Sequence, residues 1–147
     1  MDIWEPVVRE SVRQTLADYT AGTDRFRLQD LAACFAPEGV LEFPGSEPMV
    51  GPAAIAARLG AQLGGTAVGA TPLTHVRHHV SSVRFGAVAR DRVDVGSYFV
   101  VFTDVGVDHW GRYRDVLVPM DDRWLFASRQ ISVDGYSARS LMRPSPE

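Results

Sequence analysis

The sequence predicts an α+β fold in which helices come first and a long antiparallel sheet follows. Up to about residue 65, apolar residues recur at the three- and four-residue spacing of one helix face. From Leu73 onward, the pattern changes to the alternation of half-buried strands. Asp121-Asp122 lies between two such runs and is typical of a hairpin turn. This order favours helices packed on one face of a curved sheet.

The first helix is predicted over residues 5–20. Pro6 suits its first turn, and Gly22 is expected to end it. Its apolar stripe consists of Val8, Val12, Leu16 and Tyr19. Tyr19 therefore faces the interior, where its hydroxyl group needs a partner. Ordinary core packing is the alternative role for this tyrosine.

The second helix is predicted from about Arg25 to Phe35, with Pro37 and Gly39 stopping it. Asp24 directly precedes this helix and suits an N-cap, whose carboxylate accepts a backbone N–H bond. A cap uses only one carboxylate oxygen, so a second role remains open to Asp24. A short strand is then predicted over Val40 to Phe43.

The third helix is predicted to begin at Pro52 and to end at Gly64-Gly65. Its apolar side carries Ile55, Leu59 and Leu63. Residues 64–72, reading GGTAVGATP, are small and suit either a lid over a cavity or a plain loop.

Four strands are predicted in the second half of the chain, at about 73–88, 92–104, 110–120 and 123–134. In the first of them the apolar side switches after Val80, so a β-bulge is expected near Ser81-Ser82. We find no internal repeat or linker, and predict one domain over residues 1–137. Residues 138–147 are expected to be a loose tail.

The segment from Thr74 to Phe85, THVRHHVSSVRF, carries three of the four histidines of the chain. Strand alternation places Val76, His78 and Val80 on one face, and His75, Arg77 and His79 on the other. Between two valines, the imidazole of His78 would respond to any carboxylate brought near it. A hydrogen-bonded core histidine without a chemical role is the alternative.

The bulk composition excludes several classes of function. A net charge of −3 over 147 residues argues against nucleic acid and anionic membranes as partners. The N-terminal stretch MDIWEPVVRESVRQ lacks the apolar segment of a signal peptide, and the longest apolar run is too short for a bilayer. We therefore expect a cytoplasmic protein.

Motifs for cofactors and metals were also tested. The chain has no dinucleotide fingerprint, P-loop or serine-hydrolase elbow. His78 and His79 point to opposite strand faces, while His75 and His79 lie roughly 13 Å apart. We therefore predict no metal and no cofactor, although a bend at the bulge leaves a metal site as an alternative. His109-Trp110 is interpreted as part of a solvated strand face with cross-strand pairs.

Two long segments carry a resemblance to a known family. The first is YTAGTDRFRLQDLAACFAPEGVLEF (19–43), with Tyr19 and Asp24 five residues apart. The second is GRYRDVLVPMDDRWLFASRQISVDG (111–135), with its Gly-x-Tyr, Trp-x-Phe and following arginine. Together with the intervening RHHVSSVRF and GSYFVVF, they resemble the SnoaL-like branch of the nuclear transport factor 2-like (NTF2-like) superfamily. The resemblance covers about residues 5–135.

The resemblance implies a cone-shaped α+β fold whose strongly bent sheet closes around an apolar pocket. In members similar to scytalone dehydratase and bile-acid dehydratases, a tyrosine, an aspartate and a histidine meet in that pocket. Their counterparts here are Tyr19, Asp24 and His78. The second pocket histidine of scytalone dehydratase has no counterpart on the next strand, where this chain has Val101, Thr103 or Asp104.

We therefore expect a cofactor-free enzyme that transfers protons on a small apolar ring compound of polyketide, terpenoid or steroid type. Dehydration is the first choice, with cyclisation or isomerisation next, and a non-catalytic binding or assembly module is the competing class. The residues assigned to substrate binding are Val76, Val80, Tyr98, Phe102 and Tyr113. Because the late strands carry apolar residues on both faces, a homodimer through the open sheet face is also expected.

Overall fold

A computed structural model describes residues 2–65 and 73–144 of the chain. The helices within these ranges are α1 (Trp4–Asp24), α2 (Leu28–Ala32) and α3 (Pro52–Gly65). The strands are β1 (Phe35–Glu42), β2 (Met49–Val50), β3 (Val76–Val88), β4 (Val93–Thr103), β5 (Gly106–Met120) and β6 (Arg123–Tyr136). The predicted α+β class is confirmed, as are the third helix and the four late strands.

The strands form one six-stranded mixed sheet in the order β2-β1-β6-β5-β4-β3. The pairing of β1 with β6 is parallel, and the other pairings are antiparallel. Within β3, the register with β4 shifts between Ser81 and Arg84, and Ser82 has a left-handed φ of 52°. This confirms the predicted bulge, which bends the strand. The predicted hairpin turn is also present, with Asp121 at a φ of 55°.

The end of α1 differs from the sequence-based expectation. Gly22 lies inside the helix, and a Cβ atom there would come within 2.8 Å of the Leu31 backbone nitrogen. The glycine therefore permits the close approach of α2 and does not end α1. Asp24 is the last residue of α1, and Arg27 occupies the N-cap position of α2. The N-cap interpretation of Asp24 is wrong, and its carboxylate is available to another element.

The second helix is shorter than predicted, because β1 already begins at Phe35. Pro37 and Gly39 thus lie within the irregular part of β1, between Phe35 and Val40, where its register with β6 shifts. A Cβ atom at Gly39 would lie 2.5 Å from the Phe126 carbonyl oxygen, so this glycine allows the two strands to approach. The two-residue strand β2 was not predicted, since it is too short to show a period.

The helices cover one face of the sheet. α1 lies against β3 and β6, while α3 lies against β1 and β2. Val12, Leu16 and Tyr19 of α1 are buried, as the stripe predicted. No helix in the described part of the chain is long and apolar enough to cross a bilayer. Apart from Gly64 and Gly65 in α3, the predicted lid or loop lies outside the described residues.

Candidate active site

The candidate site is built around the contact between Asp24 and His78. The Oδ1 atom of Asp24 lies 2.6 Å from Nδ1 of the His78 ring, and its two oxygens lie 3.2 and 3.1 Å from the backbone nitrogen of His78. The side chains are only 12% and 9% exposed, respectively. Since an ionised carboxylate can only accept, Nδ1 donates and Nε2 is left for other partners.

This geometry follows from two local features. Asp24 stands at the C-terminal end of α1, and the helix lies against β3. His78 lies within β3 before the bulge, opposite Val101 of β4. By accepting the His78 backbone N–H as well as the ring proton, the carboxylate fixes both the strand and the imidazole. His75 and His79 are exposed, on the face expected from alternation.

His78 also lines a cavity of about 710 Å³ between the helices, the sheet and residues 141–144. Aromatic and aliphatic side chains form most of its wall, among them Leu31, Phe43, Leu59, Phe99, Ile131 and Val133. Its ionisable groups are His78, His109, Tyr19, Tyr113, Tyr136 and Arg143. An apolar enclosure with a few convergent polar groups is the usual form of a small-molecule site.

Tyr19 and Tyr113 reach the cavity from α1 and β5. Their ring centroids are 6.3 Å apart in an edge-to-face arrangement, and Phe99 stacks on Tyr113 at 4.6 Å. Burial raises the pKa of the Tyr19 phenol, and Arg129 only partly opposes this. Burial likewise raises the pKa of Tyr113. Both phenols are therefore neutral near pH 7 and can donate hydrogen bonds.

A buried ion pair supports the two tyrosines. Arg129 Nε and Nη2 each lie 2.9 Å from one oxygen of Asp115, and both residues are buried. The guanidinium carbon lies 4.3 Å from the Tyr19 ring centroid and 3.8 Å from that of Tyr113. Burial alone would lower the pKa of Arg129, but Asp115, together with Tyr113 and Tyr19, outweighs it and raises the pKa. The permanent cation thus positions both rings by cation–π contact. Sequence reasoning used Arg129 only as part of the closing hairpin.

A second histidine in the cavity, His109, was missed. It is buried on β5, with Nδ1 2.8 Å from Oδ1 of Asp108. Burial lowers the pKa of His109, although Asp108 opposes this. Trp110 is exposed, so the solvated-face interpretation holds for it and is wrong for His109. Alternation could have revealed this, because His109 lies an even number of residues from Tyr113, which was assigned to the cavity.

The two histidines stand in one row across the sheet. Val101 of β4 pairs with His78 on one side and with His109 on the other. Two strand spacings separate them, roughly 10 Å between backbones. Val101 is one of the positions at which the resemblance to scytalone dehydratase led us to look for a second histidine. This chain carries its second histidine one strand further along.

A model of the SnoaL-like domain matches residues 7–130 of the chain. The chain belongs to the SnoaL-like domain family. No curated protein matches the sequence with significance. Among solved structures, a protein from Catenulispora acidiphila is 27% identical, with a TM-score of 0.78 over 90% of this chain and 96% of that one.

Two further structures are similar in fold. A protein provisionally named scytalone dehydratase, from Novosphingobium aromaticivorans, is 20% identical, with a TM-score of 0.75 over 91% of both chains. ActVI-ORFA from Streptomyces coelicolor is 22% identical, with a TM-score of 0.73 over 86% of this chain and 96% of that one. The predicted NTF2-like fold is thereby confirmed, and the sheet is curved but not closed.

The residues assigned to substrate binding fall in different places in this SnoaL-like protein. Tyr113 lines the cavity. Val76 is buried in the core. Val80 lines a second cleft of about 570 Å³ between α1 and β3, which Asp24 and His78 also line. Tyr98 is 57% exposed on the outer sheet face, and Phe102 contacts the exposed ring of His79 there.

The assignments of Tyr98 and Phe102 to the cavity are therefore corrected. β4 carries apolar residues on both faces, so its composition did not reveal which face is buried. The buried face of β4 consists of Val93, Val95, Ser97, Phe99, Val101 and Thr103. Within the described residues, no group of three or more histidine, cysteine or acidic side chains is arranged to hold a metal ion. Independence of metals and cofactors stays a prediction.

Proposed function

We propose that this SnoaL-like protein is a cofactor-independent acid–base enzyme, a dehydratase, acting on a small apolar ring compound of polyketide, terpenoid or steroid type. The observation that carries the proposal is the 2.6 Å contact of Asp24 with His78 at the wall of the 710 Å³ cavity. A carboxylate that occupies Nδ1 directs Nε2 toward other partners and stabilises the imidazolium form that arises during proton transfer.

The proposed reaction is the loss of water from a β-hydroxy ketone within a ring. Nε2 of His78 takes the proton α to the carbonyl, and the electron pair left behind moves onto the carbonyl oxygen as an enolate. The enolate then reforms the ketone, the carbon–carbon double bond forms and the β carbon–oxygen bond breaks. The leaving hydroxyl takes the proton from the His78 imidazolium and departs as water, so the histidine returns to its starting state.

Tyr19 is proposed as the donor to the developing enolate oxygen, directly or through water. Its phenol is neutral and lines the same cavity as His78. One such donor in a dry site is worth roughly 3–4 kcal/mol of transition-state stabilisation. Positioned acid–base catalysis contributes about 10²–10⁴-fold per group. The apolar wall supports both effects, because it keeps competing water away from the enolate.

Isomerisation and cyclisation use the same proton transfers, and they are the next candidates for this site. A non-catalytic binding or assembly module would need the cavity without the imidazole–carboxylate contact. The buried Asp24–His78 pair favours catalysis over that class, because a pure binding pocket gains nothing from holding a titratable ring in one tautomer. Cytoplasmic localisation and a homodimer remain predictions.

The proposal is tested by incubating the purified protein with a panel of hydroxylated ring ketones and following the loss of one water by mass spectrometry. We expect turnover of at least one compound, unchanged after exhaustive chelation. Compounds that are consumed without a change of mass identify an isomerase or cyclase. Binding without turnover of any compound would contradict the enzymatic proposal. Loss of turnover on chelation, restored by one divalent ion, would replace the mechanism by Lewis-acid catalysis.

A further inference from the structure

The carboxylate of Asp108 joins two parts of the molecule that are distant in sequence. It is fully buried near the start of β5 and accepts four hydrogen bonds. Its Oδ1 accepts from His109 Nδ1 at 2.8 Å and from Ser140 Oγ at 2.6 Å. Its Oδ2 accepts from Thr103 Oγ1 at 2.9 Å and from the Leu141 backbone N–H at 2.7 Å. Each oxygen thus takes one donor from the sheet and one from the segment after β6.

That segment, residues 137–144, is here called the strap. Residues 138–144 of the strap were predicted to belong to a loose tail, yet Leu141, Met142, Arg143 and Pro144 line the cavity. Its first residue is tied down as well, because the Ser137 backbone N–H donates to the Asp108 carbonyl oxygen at 2.8 Å. The strap is therefore one wall of the candidate site, and Asp108 anchors it at both of its carboxylate oxygens.

The same carboxylate determines the state of His109. Burial alone would raise the pKa of Asp108, but hydrogen bonds from Ser140, Leu141, His109 and Thr103 outweigh it and lower the pKa. Asp108 is thus an ionised acceptor, so Nδ1 of His109 carries the proton and Nε2 is the unprotonated nitrogen of the neutral ring. The ring is further held by Phe99 at 6.0 Å and Tyr136 at 5.5 Å between centroids.

We propose that Asp108 is a positioning residue that couples closure of the strap over the cavity to the orientation and tautomer of His109. When the strap is closed, four donors saturate the carboxylate and His109 presents Nε2 as an acceptor in the cavity. When the strap lifts, Asp108 loses the donors from Ser140 and Leu141 and becomes accessible to water. Its hydrogen bond with Nδ1 of His109, which fixes the ring, is then no longer part of a closed network. A bound substrate thereby meets the ordered ring only under a closed strap.

This proposal rests on the proposed function in one respect, because it assumes that a substrate binds in the cavity next to His109. The other titratable and charged groups that line the cavity with His109 are Tyr19 on α1, His78 on β3, Tyr113 on β5, Tyr136 on β6 and Arg143 on the strap. None of them offers a carboxylate to His109. The state of the ring therefore depends on Asp108 alone among its acidic neighbours within the described residues.

The test compares two serines of the strap. Ser140→Ala removes the hydroxyl donor to Asp108, and with it the oxygen that accepts the Met142 backbone N–H at 3.2 Å. Ser137→Ala is the matched control, because the buried Ser137 hydroxyl has no hydrogen-bond partner within the described residues. Backbone hydrogen exchange reports strap opening, and ¹⁵N NMR of the histidine rings, assigned with a His109→Asn variant, reports the tautomer. Both are read without substrate, so a failure of the proposed reaction leaves this test intact.

We expect Ser140→Ala to accelerate exchange at the Leu141 amide by about 10- to 100-fold, the effect of losing one hydrogen bond to a charged group. The same variant should move the His109 ring signals toward a mixture of tautomers and leave those of His78 unchanged. Ser137→Ala should change neither. Faster exchange with unaltered His109 signals would overturn the coupling and leave Asp108 as an anchor alone. Unaltered exchange would overturn the role of Asp108 in closure.

Asp108→Asn provides a second reading of the same coupling. It keeps the shape of the side chain but replaces an acceptor-only carboxylate with an amide, which offers donors of its own to a site already filled with donors. In the folded fraction we expect both changes together, a faster Leu141 amide and a redistributed His109 tautomer. A His109 spectrum identical to that of the wild type would again overturn the proposal.

Discussion

Two histidines line the same cavity, each paired with a carboxylate, and the two pairs are constructed in opposite ways. Asp24 and His78 come from α1 and β3, 54 positions apart in the sequence. Asp108 and His109 are neighbours on one strand. Within the described ranges, the Asp24 carboxylate accepts only from His78, whereas the Asp108 carboxylate also accepts from β4 and from the strap. The Asp24–His78 pair thus depends on the packing of α1 against β3. The Asp108–His109 pair depends on the hydrogen bonds that Asp108 accepts from β4 and from the strap.

The difference teaches how such pairs can be found from sequence. The Asp24–His78 pair was predicted through the family resemblance, and the structure brings its atoms to 2.6 Å. The Asp108–His109 pair follows from no spacing rule, because adjacent residues of a strand normally point to opposite faces. The register of β5 with β4 shifts just there, between Val101 and Phe102. This irregularity brings both side chains of the pair to the interior.

The largest expected effect concerns stability and separates the two carboxylates. Asp108→Asn should lower the free energy of unfolding by about 3 kcal/mol, because it disrupts four buried hydrogen bonds, two of them to the strap. Asp24→Asn should cost about 1 kcal/mol, since its partners belong to a single residue. Urea unfolding of the wild type and both variants measures this. Equal losses would mean that the two pairs are energetically alike and would break the comparison.

The pH dependence of stability should report on the Asp108–His109 pair, in which both pKa values are lowered. Burial lowers the pKa of His109, so the unfolded chain binds its proton more readily, and stability falls as the pH drops below about 6.5. The pKa of Asp108 is also lowered, so its contribution is present above about pH 4 and is lost as the pH falls through the folded value. His109→Gln should flatten the first window and leave the second. Unfolding curves between pH 8 and 3 that are identical for both proteins would contradict this assignment.

A substitution on the outer sheet face should have the smallest effect on the two histidine–carboxylate pairs. We predict a homodimer through this face, which carries the exposed Tyr98 and Trp110. Trp110 pairs with Val100, which lies between Tyr98 and Phe102 on β4. Tyr98→Glu should yield a monomer in analytical ultracentrifugation and leave the ring signals of His78 and His109 unchanged. Val50→Glu on β2, at the other edge of the sheet, is the control and should stay dimeric. A monomeric wild type at micromolar concentration would contradict the interface.

The sequence predicted most of the fold because apolar periods survive in the long elements. The stripe of α1, the late strands and the bulge near Ser82 were all visible in this manner. Predictions were wrong where the role of a residue lies in a contact with another helix or strand and not in its own element. Gly22 lies inside α1 and permits the close approach of α2. The helix continues to Asp24, which therefore does not occupy the N-cap position of α2.

The candidate site was predictable in its first pair and not in its surroundings. Tyr98 and Phe102 were misplaced because β4 is apolar on both faces, and only its neighbours decide which face is buried. The strap was missed because its two donors to Asp108 are a single hydroxyl and a backbone N–H, which carry no periodic signal. Arg129 was seen only as a family feature, since its partners come from three elements: Tyr19 from α1, Tyr113 and Asp115 from β5, and Phe126 from β6.

The most direct test of the central claim compares three histidines of one strand. His78→Ala, His75→Ala and His79→Ala are assayed side by side for kcat/KM on a compound turned over by the wild type, together with their melting temperatures. If His78 is the acid–base group, its variant should lose about 10²-fold or more in kcat with little change in melting temperature, while the exposed His75 and His79 variants remain active. Equal activity losses in all three variants, or a His78→Ala protein that merely melts early, would contradict the account.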